Sequence, residues 1–416
     1  METLFLSPVL ILTIACILGL FMAWGIGAND VANAMGTSVG SKALTLKQAI
    51  IIAAIFEFLG AYLAGGEVTS TIRKGIVDPQ IYTTDLNIFI IGMMSSLLAA
   101  GSWLYIASNK GWPVSTTHSI VGAIVGFVVI TKGIDAVSWS KVGEIASSWI
   151  TSPLIAGILA FFIYLSAQKL IINAKNQIAA AIFYIPFYSF FVTGIIAQVI
   201  ARKGLSHIGL SWSDDEILVF TTLMALLAGG LTSLVLRLKK ESISSKGGIE
   251  YAFGILMIVT ACAMAFAHGS NDVANAIGPV AAIISVVNSN DLSSTAPINP
   301  AVLLLGGAGI VFGLATLGYK VIKTVGEKIT KLTPSLGFSA EMAAASTVVF
   351  ASYLGFPIST THTLIGGVIG VGLANGAKNL DWSSVYRIFA SWIITIPVGA
   401  VLTILFYVLL RVMFGV

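Results

Sequence analysis

The sequence predicts an all-α polytopic membrane protein of about twelve segments, arranged as two inverted repeats with broken or re-entrant helices near the midplane. Composition is the first ground: of 416 residues, 57% are hydrophobic and 10% charged, with a mean hydropathy of +0.96, whereas soluble domains carry roughly a quarter charged residues. Length without charge is the second. Residues 3–29 hold no Asp, Glu, Lys or Arg, enough helix to cross a hydrocarbon core of about 30 Å. The third is duplication: Asn29-Asp30-Val31-Ala32-Asn33-Ala34 returns as Asn271-Asp272-Val273-Ala274-Asn275-Ala276, and Pro113-Val114-Ser115-Thr116-Thr117-His118 returns as Pro357-Ile358-Ser359-Thr360-Thr361-His362, at offsets of 242 and 244.

Apolar windows of about 20 residues place the segments at 5–26, 46–66, 87–108, 113–131, 145–168, 178–201, 216–237, 250–268, 300–319, 340–354, 358–375 and 384–410. No basic region precedes the first run and no small-residue cleavage pattern ends it, so a cleaved leader is not expected. With both termini outside, the inner loops hold fourteen cations: Lys42, Lys47, Lys110, Lys169, Lys175, Arg237, Lys239, Lys240, Lys246, Lys320, Lys323, Lys328, Lys331 and Lys378, with Arg387 close by. The outer side holds seven: Arg73, Lys74, Lys132, Lys141, Arg202, Lys203 and Arg411. Positive charge favours the cytoplasmic side, which selects this orientation in a cell membrane. Corresponding segments are seven apart in this count, an odd number, so the second repeat is expected upside down relative to the first. Residues 1–170 form repeat one, 171–247 the connecting segments with a basic cytoplasmic linker, and 248–416 repeat two.

The polar residues kept by the duplication sit inside lipid-compatible sequence, where ionisable groups are costly and mark transport pathways. The Gly-rich, Asx-containing strings Gly25 to Asp30 and His268 to Asp272 favour a break in the helix. Freed carbonyls there, with Asn29, Asp30, Asn33, Asn271, Asp272 and Asn275, would form the all-oxygen set that suits Na⁺. Capping of helix ends is the competing explanation. The Pro-Val/Ile-Ser-Thr-Thr-His strings open apolar helices, so the first-turn N–H groups converge with the hydroxyls of Ser115, Thr116, Thr117, Ser359, Thr360 and Thr361 on one point, as anion sites do; N-capping without a ligand is the alternative. His118 and His362 lie in those first turns, either as donors or as packing groups. No Lys or Arg lies deep in any segment, so an anion beside Asp30 and Asp272 needs co-bound cations or protons. Glu57, alone in an apolar run, is read as a further cation ligand or a structural acceptor. Glu67 and Glu341 are expected to be solvated. The recurring Trp139, Trp149, Trp382 and Trp392 are expected at interfaces or in packing.

Other classes are disfavoured. Cys16 and Cys262 lie in apolar runs at non-equivalent positions and read as core residues without a redox or metal role. No basic, aromatic-interleaved stretch suggests a nucleic-acid surface. A channel calls for rings of like residues around an oligomer axis, and no Gly-x-Ser-x-Gly or His-Glu-x-x-His pattern supports an enzyme.

At Gly27 to Ala34, at the variant Gly269 to Ala276 with Ser270 in place of Ala, and at both Ser-Thr-Thr-His strings, the chain resembles the inorganic phosphate transporter family, the PiT carriers. The likeness spans about residues 20–400. It implies a multi-spanning inverted-repeat symporter, often dimeric, importing inorganic phosphate with Na⁺ or H⁺ by alternating access, and needing no other cofactor. The residues alone favour Na⁺, and favour phosphate over sulfate because phosphate keeps a proton to donate to an Asp. Carried onto this sequence, the family implies Asn29, Asp30, Asn33, Asn271, Asp272 and Asn275 as ion and phosphate ligands, with Ser115, Thr116, Thr117, Ser359, Thr360 and Thr361 as phosphate ligands.

Overall fold

A computed structural model describes residues 4–75, 79–204, 210, 212–245, 248–289, 298–322, 332–376 and 380–416. The inner-loop cations Lys246, Lys323, Lys328, Lys331 and Lys378 lie outside these residues. Every regular element described is helical: α1 (Pro8–Asn29), α2 (Val31–Gly40), α3 (Leu46–Ala64), α4 (Gly66–Gly75), α5 (Leu86–Asn109), α6 (Thr116–Lys132), α7 (Trp139–Ala167), α8 (Gln177–Val199), α9 (Asp214–Leu238), α10 (Lys240–Ser245), α11 (Ile249–Ser289), α12 (Pro300–Gly313), α13 (Pro334–Tyr353), α14 (Thr360–Ala374) and α15 (Trp382–Phe414). Among the described residues nine helices are long and apolar enough to cross a membrane. The short apolar α6 and α14, with 17 and 15 residues, and the 20-residue α13 account for the remaining predicted segments.

The helices start where the sequence supplies caps. Thr45 with Gln48 and Ser213 with Glu216 form reciprocal capping boxes on α3 and α9, and Pro stands in the first turn of α1, α12 and α13, where its missing N–H costs nothing. The ends of α5 and α13 matter most for the site. Gly111 and Gly355, 244 residues apart, adopt φ of 64° and 75°. Trp112 N–H bonds back to Ala107 O and Phe356 N–H to Ala351 O, each at 2.9 Å. These matched Schellman turns stop each helix and send the chain back inward. The following α6 and α14 therefore begin inside the protein, with Thr116, Thr117, Thr360 and Thr361 all buried.

The two Asn-Asp strings differ in how far they interrupt the helix. The first falls at a break: α1 ends at Asn29 and α2 starts at Val31, with Asp30 between them at φ −85°, ψ −16° and its carbonyl taking the N–H of Asn33 at 2.8 Å. The second does not break its helix, since α11 runs 41 residues through Asn271 to Ala276. The Asx side chains are occupied by groups from other helices, so they do not compete for their own backbone.

Packing links the two halves. In the first half α1 lies against α12 of the second, and α3 lies against α11. Likewise α7 lies against α14, and α15 against α6. Small residues allow the last two crossings: Gly122 and Gly126 face the backbone of Ile396 and Ala400, while Gly366 and Gly370 face the backbone of Pro153 and Gly157. With lipid on the outside there is little hydrophobic drive between helices, so such Gly-xxx-Gly contact supplies the van der Waals term. Helices α8 and α9 pair with each other beside this core, α8 also touching α11 and α13. Gly126→Ala and Gly370→Ala are expected to destabilise by about 1–3 kcal/mol each through overpacking. Gly143→Ala, where a Cβ meets nothing within 4 Å, should shift stability by less than about 0.5 kcal/mol. Thermal unfolding of the purified variants in detergent distinguishes these outcomes.

Candidate functional site

The duplicated strings meet at one buried place. Asn29 and Asn271 act as braces with matched bonds. Asn29 Nδ2 donates to Ser108 Oγ (3.1 Å) and Trp112 O (2.9 Å), and its Oδ1 accepts from Val114 N (3.0 Å). Asn271 Nδ2 donates to Ser352 Oγ and Phe356 O (both 3.1 Å), and its Oδ1 accepts from Ile358 N (3.3 Å). Each Asn thus ties the Asp-bearing helix to the turn that launches α6 or α14.

The next residue in each string carries the charge. Asp30 Oδ1 accepts from Asn33 Nδ2 (2.8 Å) and from Thr361 Oγ1 of the other half (2.9 Å), while Oδ2 accepts from Thr116 Oγ1 (2.6 Å). Asp272 Oδ2 accepts from Thr360 Oγ1 (3.0 Å) and lies 3.3 Å from Thr116 Oγ1. Thr116 therefore sits between both carboxylates. Asn33 Nδ2 also reaches Thr361 Oγ1 (2.8 Å), and Asn275 Nδ2 reaches Thr116 (3.1 Å) and Thr117 (3.3 Å). All of these residues are at most 1% exposed. Buried acceptors are left over: Asp272 Oδ1 and Asn275 Oδ1 have no hydrogen-bond partner among the described residues.

Ser115 and Ser359 accept from the N–H of His118 and His362 (3.3 Å each), the N-cap arrangement. The remaining first-turn amides of α6 and α14 have no intrahelical partners and lie beside the threonine hydroxyls, at the positive ends of the helix dipoles. His118 and His362 take the packing alternative. Each packs on a Trp: His118 lies tilted by 44° against Trp149 with centroids 3.8 Å apart, and His362 stacks on Trp392 at 3.3 Å. Each also directs Nδ1 at the carbonyl of the opposite Trp, His118 to Trp392 O (3.3 Å) and His362 to Trp149 O (3.2 Å). Trp139 and Trp382 stay exposed, as interface residues do.

One carboxylate lies where the sequence does not predict it. Glu341, expected to be solvated, is fully buried: its Oε1 accepts from Thr37 and Ser38, and its Oε2 from Thr260 at 2.7 Å. The helix carrying it begins at Pro334, several residues before the predicted segment, which moves Glu341 inward. Glu67 is half-buried and pairs with Lys203 at 2.9 Å. Glu57 is fully buried against His268 Nδ1 (2.6 Å), with Oε1 unpartnered. His268 Nε2 lies 3.1 Å from Asp272 Oδ2 but off the line of a hydrogen bond. Oxygen and nitrogen atoms of Asp30, His268 and Asp272 all lie within 4.8 Å of one another. His268 escaped the sequence reading, though its spacing of four from Asp272 puts both on one helix face. Cys16 and Cys262 are free thiols.

The chain is similar to known proteins along nearly all of its length. A family model described as the phosphate transporter family matches residues 26–403. A relative from Haemophilus influenzae, named "Putative phosphate permease", is 48% identical over 407 residues, covering 97% of each chain. "Inorganic phosphate transporter 2-1, chloroplastic" of Arabidopsis thaliana is 44% identical over 93% of this chain and 70% of its own. A solved structure named "The sodium-dependent phosphate transporter" superposes with a TM-score of 0.89 at 39% identity, covering 97% of this chain and 99% of that one. Matched along nearly its whole length to transporters and permeases rather than to enzymes, this multi-pass membrane chain belongs to the phosphate transporter family.

Proposed function

We propose that this chain imports inorganic phosphate by Na⁺ symport, as a secondary active transporter whose two repeats are inverted and alternate in exposing the central site. One observation carries the reading: Thr116 Oγ1 lies 2.6 Å from Asp30 and 3.3 Å from Asp272, in a buried site whose lining includes neither Lys nor Arg. With Glu57 nearby, three carboxylates face one imidazole, that of His268. Even with that imidazole charged, the ionised set is net negative. A bare oxyanion entering it would be repelled, so cations must come with it.

Na⁺ answers two requirements at once. It supplies the missing charge, and it satisfies the orphaned acceptors Asp272 Oδ1, Asn275 Oδ1 and Glu57 Oε1. The sodium dependence for which the structural relative is named points the same way. Phosphate is then assigned to Thr116, Thr117, Thr360 and Thr361 with Ser115 and Ser359, at the two helix starts, where N–H groups and dipoles favour an anion. Asp30, Asp272, Asn33 and Asn275 lie between phosphate and cations, and Glu57 extends the cation side. Asn29 and Asn271 position the helix starts, since their amides are already committed to the turns. The excess of Lys and Arg in alternate loops supports an orientation with both termini outside.

In proteoliposomes, replacing external Na⁺ by choline should reduce phosphate uptake to background whether or not a pH gradient is imposed. Uptake restored by the gradient alone would replace Na⁺ with H⁺ in this reading. Asp30→Asn and Asp272→Asn are each expected to lower uptake and flatten its Na⁺ dependence, measured as initial rate against Na⁺ concentration; an unchanged dependence in both variants overturns the coupling role. Thr360→Ala removes one donor to a charged group, worth about 1.5–3 kcal/mol. The half-saturating phosphate concentration in the same assay should rise roughly 10-fold or more.

A further inference from the structure

The α8–α9 hairpin lies outside the duplication, and the site chemistry makes no use of it. At the end where α8 begins and α9 finishes there is a cavity of about 590 Å³ whose lining includes Asn176, Ile182, Phe183, Pro186, Arg237 and Lys240. We propose that this cavity binds an anionic phospholipid of the cytoplasmic leaflet, with its phosphate at Arg237 and Lys240 and an acyl chain along Ile182, Phe183 and Pro186.

Charge is the first support. At this end of the hairpin, residues 169–182 and 233–245 carry a single acid, Glu241, against Lys169, Lys175, Arg237, Lys239 and Lys240. Four cations in other parts of the chain are paired with acids: Lys132 with Asp85 (2.5 Å), Lys141 with Glu144 (2.7 Å), Arg202 with Asp214 (3.0 Å) and Lys203 with Glu67 (2.9 Å). Arg237 and Lys240 make no ion pair among the described residues, and Glu241 has an interaction of its own. By the positive-inside rule this end faces the cytoplasm, whose leaflet is rich in anionic lipid. Asn176 adds a donor, because only its Oδ1 is used, accepting from Ala179 N at 3.0 Å.

Depth is the second support, and it selects a lipid over a soluble anion. Pro186 lies ten residues along α8 from Asn176, about 15 Å at 1.5 Å per residue. The cavity therefore runs from a basic rim well into the hydrocarbon region, with apolar walls below the charges. Free phosphate fills the rim alone; a phospholipid matches both parts. Basic pockets between membrane helices on the cytoplasmic side are suited to such headgroups.

The test uses the full-length protein in dodecylmaltoside micelles doped with phosphatidylglycerol or phosphatidylcholine, and intact-protein mass spectrometry to count retained lipids. One phosphatidylglycerol per chain is expected, with no phosphatidylcholine and no displacement by millimolar inorganic phosphate. R237Q/K240Q should lower occupancy at least tenfold, and so should Ile182→Trp, which fills the apolar arm at unchanged charge. K169Q/K175Q, which removes equal charge outside the cavity, should leave occupancy unchanged. Displacement by inorganic phosphate would assign the rim to a soluble oxyanion and overturn the lipid. Equal retention of phosphatidylcholine, full occupancy in R237Q/K240Q and Ile182→Trp, or an equal loss in K169Q/K175Q would each overturn the site.

Discussion

Two carboxylates buried at membrane depth with no Lys or Arg beside them set the terms for the rest of this structure. Each must be held by neutral donors, and a carboxylate left without them would cost several kcal/mol. Asp30 finds its donors in Thr116 of its own half and Thr361 of the other, while Asp272 uses Thr360 and the far side of Thr116. The donors thus cross the boundary between halves. That requirement explains why α6 and α14 start in the interior, why Gly111 and Gly355 turn the chain back, and why Asn29 and Asn271 are spent on fixing those turns.

Most of this was legible in the sequence because the duplication labelled it. The same six-residue strings at nearly equal offsets named the Asp, Asn, Ser and Thr residues that the fold brings together, and hydropathy located each membrane segment. The predicted break is found at Asp30 between α1 and α2 but not in the second string, which α11 runs through, and the limited unwinding has a physical reason. Gly and Asx favour unwinding when their side chains have only the local backbone to bond, and here Thr361, Ser108 and Ser352 arrive from distant helices to occupy them. Tertiary partners of that kind leave no local trace.

The missed residues share a different cause. Glu341 and His268 have no counterpart in the other repeat: the position 244 before Glu341 is Leu97, and the one 242 before His268 is Ile26. An argument built on repetition passes over whatever one half alone supplies. These asymmetric groups give the second half an imidazole bridging Glu57 and Asp272 and a carboxylate enclosed by Thr37, Ser38 and Thr260. The buried centre therefore repeats its Ser-Thr-Thr strings in both halves and is lopsided in its ionisable surroundings.

The glycine crossings of α6 with α15 and of α7 with α14 carry an evolutionary consequence. The last helix of each half is seated on its opposite number's interior, so neither half alone buries its own contact face. A half-length ancestor would have had to trade that helix with a twin molecule, each completing the other. Within a single chain that exchange is intramolecular, and one half can carry a feature, such as Glu341, that the other lacks.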